Sequence, residues 1–284
     1  MQDSNLKPGS GPVGGRAGIT VTVSSQTEPG EEGSLGHSTA AEMLATVWEY
    51  IWTLGLMALL VFSCRSSLAD WYEVPSGPML PTIQLGDRIF VNKLAYDLRM
   101  PFSGTFVPFT DYRIPYVKLA SLGTPSRGDI VVFVWPEDNR TDYVKRLVGL
   151  PGDRVEVRNN ILFVNGQEMP REEVDQNKQG VLPPGAATDP NASLFVENLD
   201  GVKHLVFESI SDNFGPTIVP DHMYFMMGDN RDNSSDSRSW GFVPAENLRG
   251  KALRVVLSFD PSPQYSIGNP QRVRWSRMLL SLLP

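Results

Sequence analysis

From Met43 to Cys64 the chain is almost wholly apolar, and Glu49 is its single charged residue. A helix needs ~20 such residues to cross a hydrocarbon core, where every backbone polar group must find its partner inside the segment. The run predicts one transmembrane helix over 43–64. Trp48, Tyr50 and Trp52 gather in its first half, where an aromatic belt would hold Glu49 near an interface. A buried helix of a water-soluble domain is the competing reading. The stretch Ile51–Phe62, which offers no polar face, favours the span. Basic residues give no help with orientation. Lys7 and Arg16 precede the span while Arg65, Arg88 and Lys93 follow it, which does not favour an exported C-terminal part.

Residues 1–42 are rich in Gly, Ser, Thr and Pro with few large apolar side chains, which predicts a disordered N-terminal tail. The tail lacks the basic start and early apolar core of a cleavable leader. After the span, 65–284 reads as short strands and turns. Asp129–Val134, Tyr143–Leu150, Arg154–Val157 and Ile161–Val164 have strand character. Asn159-Asn160 separates the last two, and Asn165-Gly166 is a strong hairpin signal. Similar runs return at His204–Glu208, Met223–Met227 and Ala252–Ser258. The 23 prolines and 25 glycines fit many short elements. The expected fold is therefore all-β, a barrel or sandwich with a smaller β lobe inserted at about 155–222. Gln167–Asp200 is polar, rich in Pro and Gly, and read as a loop region. The end of the chain carries Arg272, Arg274, Arg277 and Trp275 before the apolar run Met278–Leu283. It is too short to span, and two readings stand: a membrane-surface segment, or an edge strand packed on the core.

Several function classes are disfavoured. A net charge of −7 argues against nucleic acid as a partner. His37, His204 and His222 stand far apart and Cys64 is the lone cysteine, so no metal or cofactor site and no intrachain disulfide is expected.

Three segments stand out as candidate sites. Between Val74 and Thr82, Pro75, Pro78 and Pro81 together with Gly77 predict a rigid turn. Around Asp142–Asp153, strand alternation places Tyr143, Lys145, Leu147 and Gly149 on one face and Val144, Arg146 and Val148 on the other. Lys145 then sits among apolar neighbours, where burial lowers its pKa and lets it act as a general base; a solvated edge is the plainer alternative. Finally, Met227–Pro244 packs Asp, Asn, Ser and Arg behind an apolar strand. That is either an ordinary loop or a polar network that pins a site.

Taken in order, these segments resemble the boxes of bacterial type I signal peptidases: the proline-rich turn running into Gly86-Asp87, then Arg127-Gly128-Asp129-Ile130, then Lys145 through Pro151-Gly152-Asp153, and last Gly228-Asp229-Asn230-Arg231. The resemblance implies a membrane-anchored serine endopeptidase that removes signal peptides from exported preproteins by a Ser/Lys dyad. It implies Lys145 as the general base, Ser234 as the hydroxyl that orients it, and Ser76 as an oxyanion donor. Asp229, Asp236 and Arg238 would brace the site. Tyr72, Val74, Pro75, Met79, Tyr143 and Val144 would line pockets for small side chains. The partners implied are signal peptides and the lipid bilayer. The implied setting is the cytoplasmic membrane of a bacterium, crossed once, with the β part on the exported side; a monomer is expected.

One position departs from the pattern. Where the resemblance implies the nucleophilic serine, this chain has Pro78. Proline supplies neither a hydroxyl to activate nor a backbone N–H for the oxyanion. Loss of a nucleophile in a comparable protease costs about 10⁶ in rate, and loss of one oxyanion donor ~2.7–4 kcal/mol. Ser76 lies two strand rises away, ~6–7 Å, whereas attack geometry tolerates about 1 Å. Three readings follow: an enzyme impaired at one residue, a pseudoprotease that binds without cutting, or a membrane-anchored β domain without peptide affinity. Retention of the lysine and its supports favours the first.

Overall fold

A computed structural model of the chain describes residues 35–283 apart from 106, 108, 111, 113, 184–188 and 263–271. The expected tail lies outside the described residues as far as 34. From Leu35 the chain is helical, and helix α1 (Leu35–Ser67) starts ahead of the apolar run. Its segment Ala40–Ser67 is long and apolar enough to cross a membrane, and it is exposed from Ala40 to Phe62. Large apolar side chains such as Leu56, Leu60 and Phe62 are exposed all round it. In water that surface would be costly, and in lipid it is matched.

Among the described residues sixteen strands follow α1. In chain order they begin β1 (Ala69–Glu73), β2 (Asp87–Asn92), β3 (Asp97–Arg99), β4 (Lys118–Ser121), β5 (Ile130–Val134) and β6 (Asp142–Gly149). Next come β7 (Arg154–Arg158), β8 (Ile161–Val164), β9 (Gln167–Glu168), β10 (Arg171–Val174), β11 (Ser193–Leu199), β12 (Val202–Glu208) and β13 (Phe214–Ile218). The series ends with β14 (Met223–Met227), the one-turn helix α2 (Ser237–Trp240), β15 (Val243–Pro244) and β16 (Leu248–Ser258). The main element is a curled seven-stranded sheet in the order β1-β2-β16-β5-β6-β14-β15. Its strands β6 and β14 pair with each other, and everything from β7 to β13 is inserted between them as a four-stranded sheet (β13-β7-β8-β9) and a three-stranded one (β10-β11-β12).

The turns follow their residue chemistry. Asn159-Asn160, Asn165-Gly166 and Asp200-Gly201 all have positive φ at both positions. That conformation joins tight antiparallel hairpins because its twist matches that of the strands. Among the described residues three apolar clusters fill the interior. One beneath the proline-rich turn holds Val74, Met79, Ile83, Ile89, Val132 and Val255. A second, at the inserted strands, holds Val155, Leu162, Leu199 and Phe225. A third, behind β6, holds Phe133, Leu147, Met226 and Val243.

One expectation is revised. Gln167–Asp200 is not a plain loop, since β9, β10 and β11 all lie in it. In β11 Leu194, Glu197 and Leu199 are all buried, Glu197 and Leu199 on one face and Leu194 on the other. A charged residue at an inward position broke the apolar alternation that marks a strand. At the C-terminus the tail packs in part on the core, with Arg277 and Leu282 buried while Trp275 and Leu279 stay exposed. Backbone bonds from Leu279 to Val255 and from Leu282 to Leu253 lay the tail along β16. Leu282 joins the first cluster, and the fully buried Arg277 clasps the fully buried Asp87 at 2.6 Å.

Candidate active-site cleft

A cleft of about 340 Å³ opens between the end of β1 with its following turn and the start of β6. The turn is held rigidly at both ends. Val74 donates its N–H to Asp87 and accepts from Gly86, each at 2.9 Å. Met79 and Val74 anchor the turn in the core below. The turn is also docked onto the polar loop after β14: the Asn230 N–H donates to the Pro78 carbonyl at 3.0 Å. Gly228 permits this approach, because a Cβ there would meet the Ser234 hydroxyl and lie 2.5 Å from the Pro78 carbonyl oxygen.

Across the cleft, Lys145 sits in β6 opposite Val131 of β5 and is 3% exposed. Its amine lies 5.6 Å from the centre of the Tyr143 ring. Among the described residues no carboxylate forms an ion pair with it. Burial strips hydration from the charged form and pushes the Lys145 pKa down to about 8; Asp236 partly restores it and Arg238 opposes that. The result is an amine that shares its proton readily near neutral pH.

A dense ionic scaffold stands behind this amine. On the adjoining position of β6, Arg146 grips Asp229 with a two-pronged contact at 2.7 and 2.6 Å. Thr82 adds a hydroxyl donor to the same carboxylate at 2.6 Å. Burial disfavours the Asp229 anion, but Arg146 outweighs it and holds the pKa below the ordinary range. Asp236 caps α2 and receives the Gly228 N–H at 3.0 Å. It also takes two bonds from Arg238, at 2.9 and 2.8 Å, and its pKa is lowered likewise against the effect of burial. The Ser234 hydroxyl is buried and near enough to Asp236 to favour the anion, yet it makes no hydrogen bond of good geometry. Bridges to the inserted region complete the frame: Arg231 to Glu197 of β11 at 2.5 Å, and Arg238 to Asp212 between β12 and β13 at 2.7 Å.

Of the residues singled out from sequence, Tyr72, Val74, Pro75, Ser76, Pro78, Tyr143, Val144 and Lys145 all line the cleft. Met79 does not: it is fully buried in the core under the turn, because the chain folds inward directly after Pro78. Ser234, Asp229, Asp236 and Arg238 lie behind the cleft in the scaffold. Ile89 and Val132 line it as well and were not anticipated. Their inward positions on β2 and β5 are legible as strand alternation, but not their convergence on one cavity. Thr82, Arg146, Glu197 and Arg231 were also missed as scaffold members. Nothing in the sequence marks the partner that each one finds.

Residues 47–257 match the family model described as "Signal peptidase, peptidase S26". The chain belongs to the signal peptidase family. Signal peptidase I of Pseudomonas aeruginosa is 38% identical over 229 residues, covering 75% of this chain and 74% of that one. Signal peptidase I of Pseudomonas fluorescens is 39% identical over 222 residues, covering 73% and 71%. A crystal structure of a signal peptidase I from Enterococcus faecalis aligns with 31% identity over 45% of this chain and 96% of that one, at a TM-score of 0.28. Membership of the family, together with one apolar N-terminal helix, fits a single-pass membrane protein.

Proposed function

We propose that this chain is a signal peptidase with its peptide cleft and proton acceptor in place and its nucleophile missing, so that it binds signal peptides of exported preproteins and cuts them slowly or not at all. One observation carries the reading. Lys145, buried and with its pKa drawn down towards neutrality, lines the same cleft as Pro78, the position at which a serine would receive its help. Lys145 is the general base of this reading, with Ser234 as its orienting hydroxyl. Asp229, Asp236 and Arg238 are the brace, and Ser76 is the oxyanion donor. Tyr72, Val74, Pro75, Tyr143 and Val144 contact the peptide, while Met79 supports the turn from below. The close-set apolar walls suit small side chains next to the scissile bond. The β part then faces the exported side of a bacterial cytoplasmic membrane, acting as a monomer.

The retained cleft also supports the second reading, a pseudoprotease that holds a signal peptide without cutting it. Purified full-length protein and its Pro78→Ser variant, incubated with a preprotein, separate the possibilities. The expected result is cleavage by Pro78→Ser at least ~10³ faster than by the parent, a conservative fraction of what a missing nucleophile costs. Equal rates would refute the role given to position 78. Binding of a signal peptide by the parent, with no gain in cleavage on Pro78→Ser, would leave the pseudoprotease reading in its place.

A further inference from the structure

A second cavity, of about 370 Å³, lies where the chain leaves α1, and the peptide-cutting chemistry makes no use of it. Four cations line it: Arg65, Lys93, Arg99 and Arg249. Three carboxylates share the wall and do not balance them. Asp70 serves both Arg65, at 2.7 Å, and Lys93, at 3.2 Å. Asp142 is 3.4 Å from Arg249, a long contact, and Glu73 reaches Arg88 outside the cavity at 3.1 Å. Among the described residues Arg99 has no carboxylate partner, and its guanidinium sits over the Tyr116 ring at 5.2 Å. It is 1% exposed, spends one nitrogen on the Leu248 carbonyl at 2.8 Å, and its Nε finds no partner among the described residues. An arginine buried with an unused donor at the wall of a cavity is costly unless an anion comes to it.

The position identifies the anion. The predicted span ends at Cys64, and Arg65 follows it directly, ~1.5 Å along a helix axis. The polar layer flanking a hydrocarbon core is about 5–8 Å deep on each side. Trp71 lies on the rim, 58% exposed, with the Arg65 guanidinium over its ring at 5.2 Å. An amphipathic ring at this level is the usual mark of the interface. Lys93 fastens the end of the helix to the cavity wall, donating to the Arg65 and Ser66 carbonyls at 3.0 and 3.3 Å. The cavity is therefore held at headgroup depth by the chain itself. We propose that it is a binding site for the phosphate of an anionic phospholipid, drawn from the leaflet into which α1 emerges.

The site shares Tyr72, Glu73 and Asp142 with the peptide cleft, so a bound lipid would hold that cleft at a fixed height above the bilayer. The proposal needs α1 to span but is independent of residue 78 and of any cleavage.

The test uses the full chain in detergent, offered phosphatidylglycerol and phosphatidylcholine in equal amounts, with retained lipid counted by native mass spectrometry. Retention of one phosphatidylglycerol at about tenfold preference is expected, the equivalent of one charge-assisted contact. In Arg65→Gln/Arg249→Gln that preference should fall to within about twofold. Arg99→Gln should act likewise; because its site is buried, the double variant decides if Arg99→Gln does not fold. Equal retention of the two lipids by the native chain, or an unchanged preference in the double variant, overturns the proposal. Displacement of the lipid by millimolar inorganic phosphate or glycerol phosphate would identify a soluble phosphate as the ligand and overturn the lipid assignment.

Discussion

Replacing Lys145 by methionine should make the folded protein more stable at neutral pH, and the gain should disappear in alkali. The reasoning needs only one pair of values. The lysine pKa falls from an ordinary 10.5 to about 8 in the fold, chiefly through burial. At 1.36 kcal/mol per pH unit of displacement, carrying the proton in the folded state costs about 3 kcal/mol. The sign follows from proton counting. Between pH 8 and 10.5 the unfolded chain holds this proton and the folded chain does not, so stability rises with pH across that window. Below about pH 8 the penalty is complete, and above about pH 10.5 it is gone. Methionine matches the length of the lysine stem and has nothing to protonate. Lys145→Met should therefore gain about 3 kcal/mol at pH 7, a rise of about 6–12 °C in melting temperature for a domain of this size. Melting of the full-length protein in detergent, parent beside variant at pH 7, 9 and 10.5, reads the effect directly. The exposed Lys203→Met serves as control. If Lys145→Met gains no more than the control at pH 7, or gains equally at pH 10.5, the amine is not buried as described and its part as a proton acceptor fails with it.

Other outcomes follow from the same geometry. In the Pro78→Ser protein, kcat/KM should climb about tenfold per pH unit up to about pH 8 and then level, since only neutral Lys145 accepts a proton; a flat profile from pH 6 to 9 would exclude it as the base. Asp229→Asn should lose ~3–5 kcal/mol in denaturant unfolding by leaving the buried Arg146 without its carboxylate, and a loss below about 1 kcal/mol would show that the clasp is not structural. Gly228→Ala should be destabilised by about 1–3 kcal/mol, because its Cβ would collide with Ser234 and with the Pro78 carbonyl; an unchanged melting temperature would mean that the turn and the loop are not docked as seen. Arg277→Ala should cost ~3–5 kcal/mol by stripping the main partner from a carboxylate with no access to water, and a neutral effect would place the C-terminal tail away from β2.

What sequence alone could settle was whatever rests on local chemistry. Apolar length set a helix able to cross a membrane, Asn-Gly and Asn-Asn set the hairpins, and strand alternation placed Lys145 among hydrophobic neighbours. The absence of a hydroxyl and an N–H at Pro78 is a property of that residue in any fold. Tertiary structure decided what depends on partners far apart in the chain. Glu197 reads as a strand breaker until it meets Arg231, Met79 reads as a cleft residue until the turn carries it into the core, and the terminal arginines read as a basic tail until Arg277 reaches Asp87. Arg99 shows the same limit, since its unused donor exists only where β3, β16 and the end of α1 close around a cavity. Local preference is carried by neighbouring residues, whereas the pairing of buried charges is a long-range outcome of packing that no short window of sequence contains.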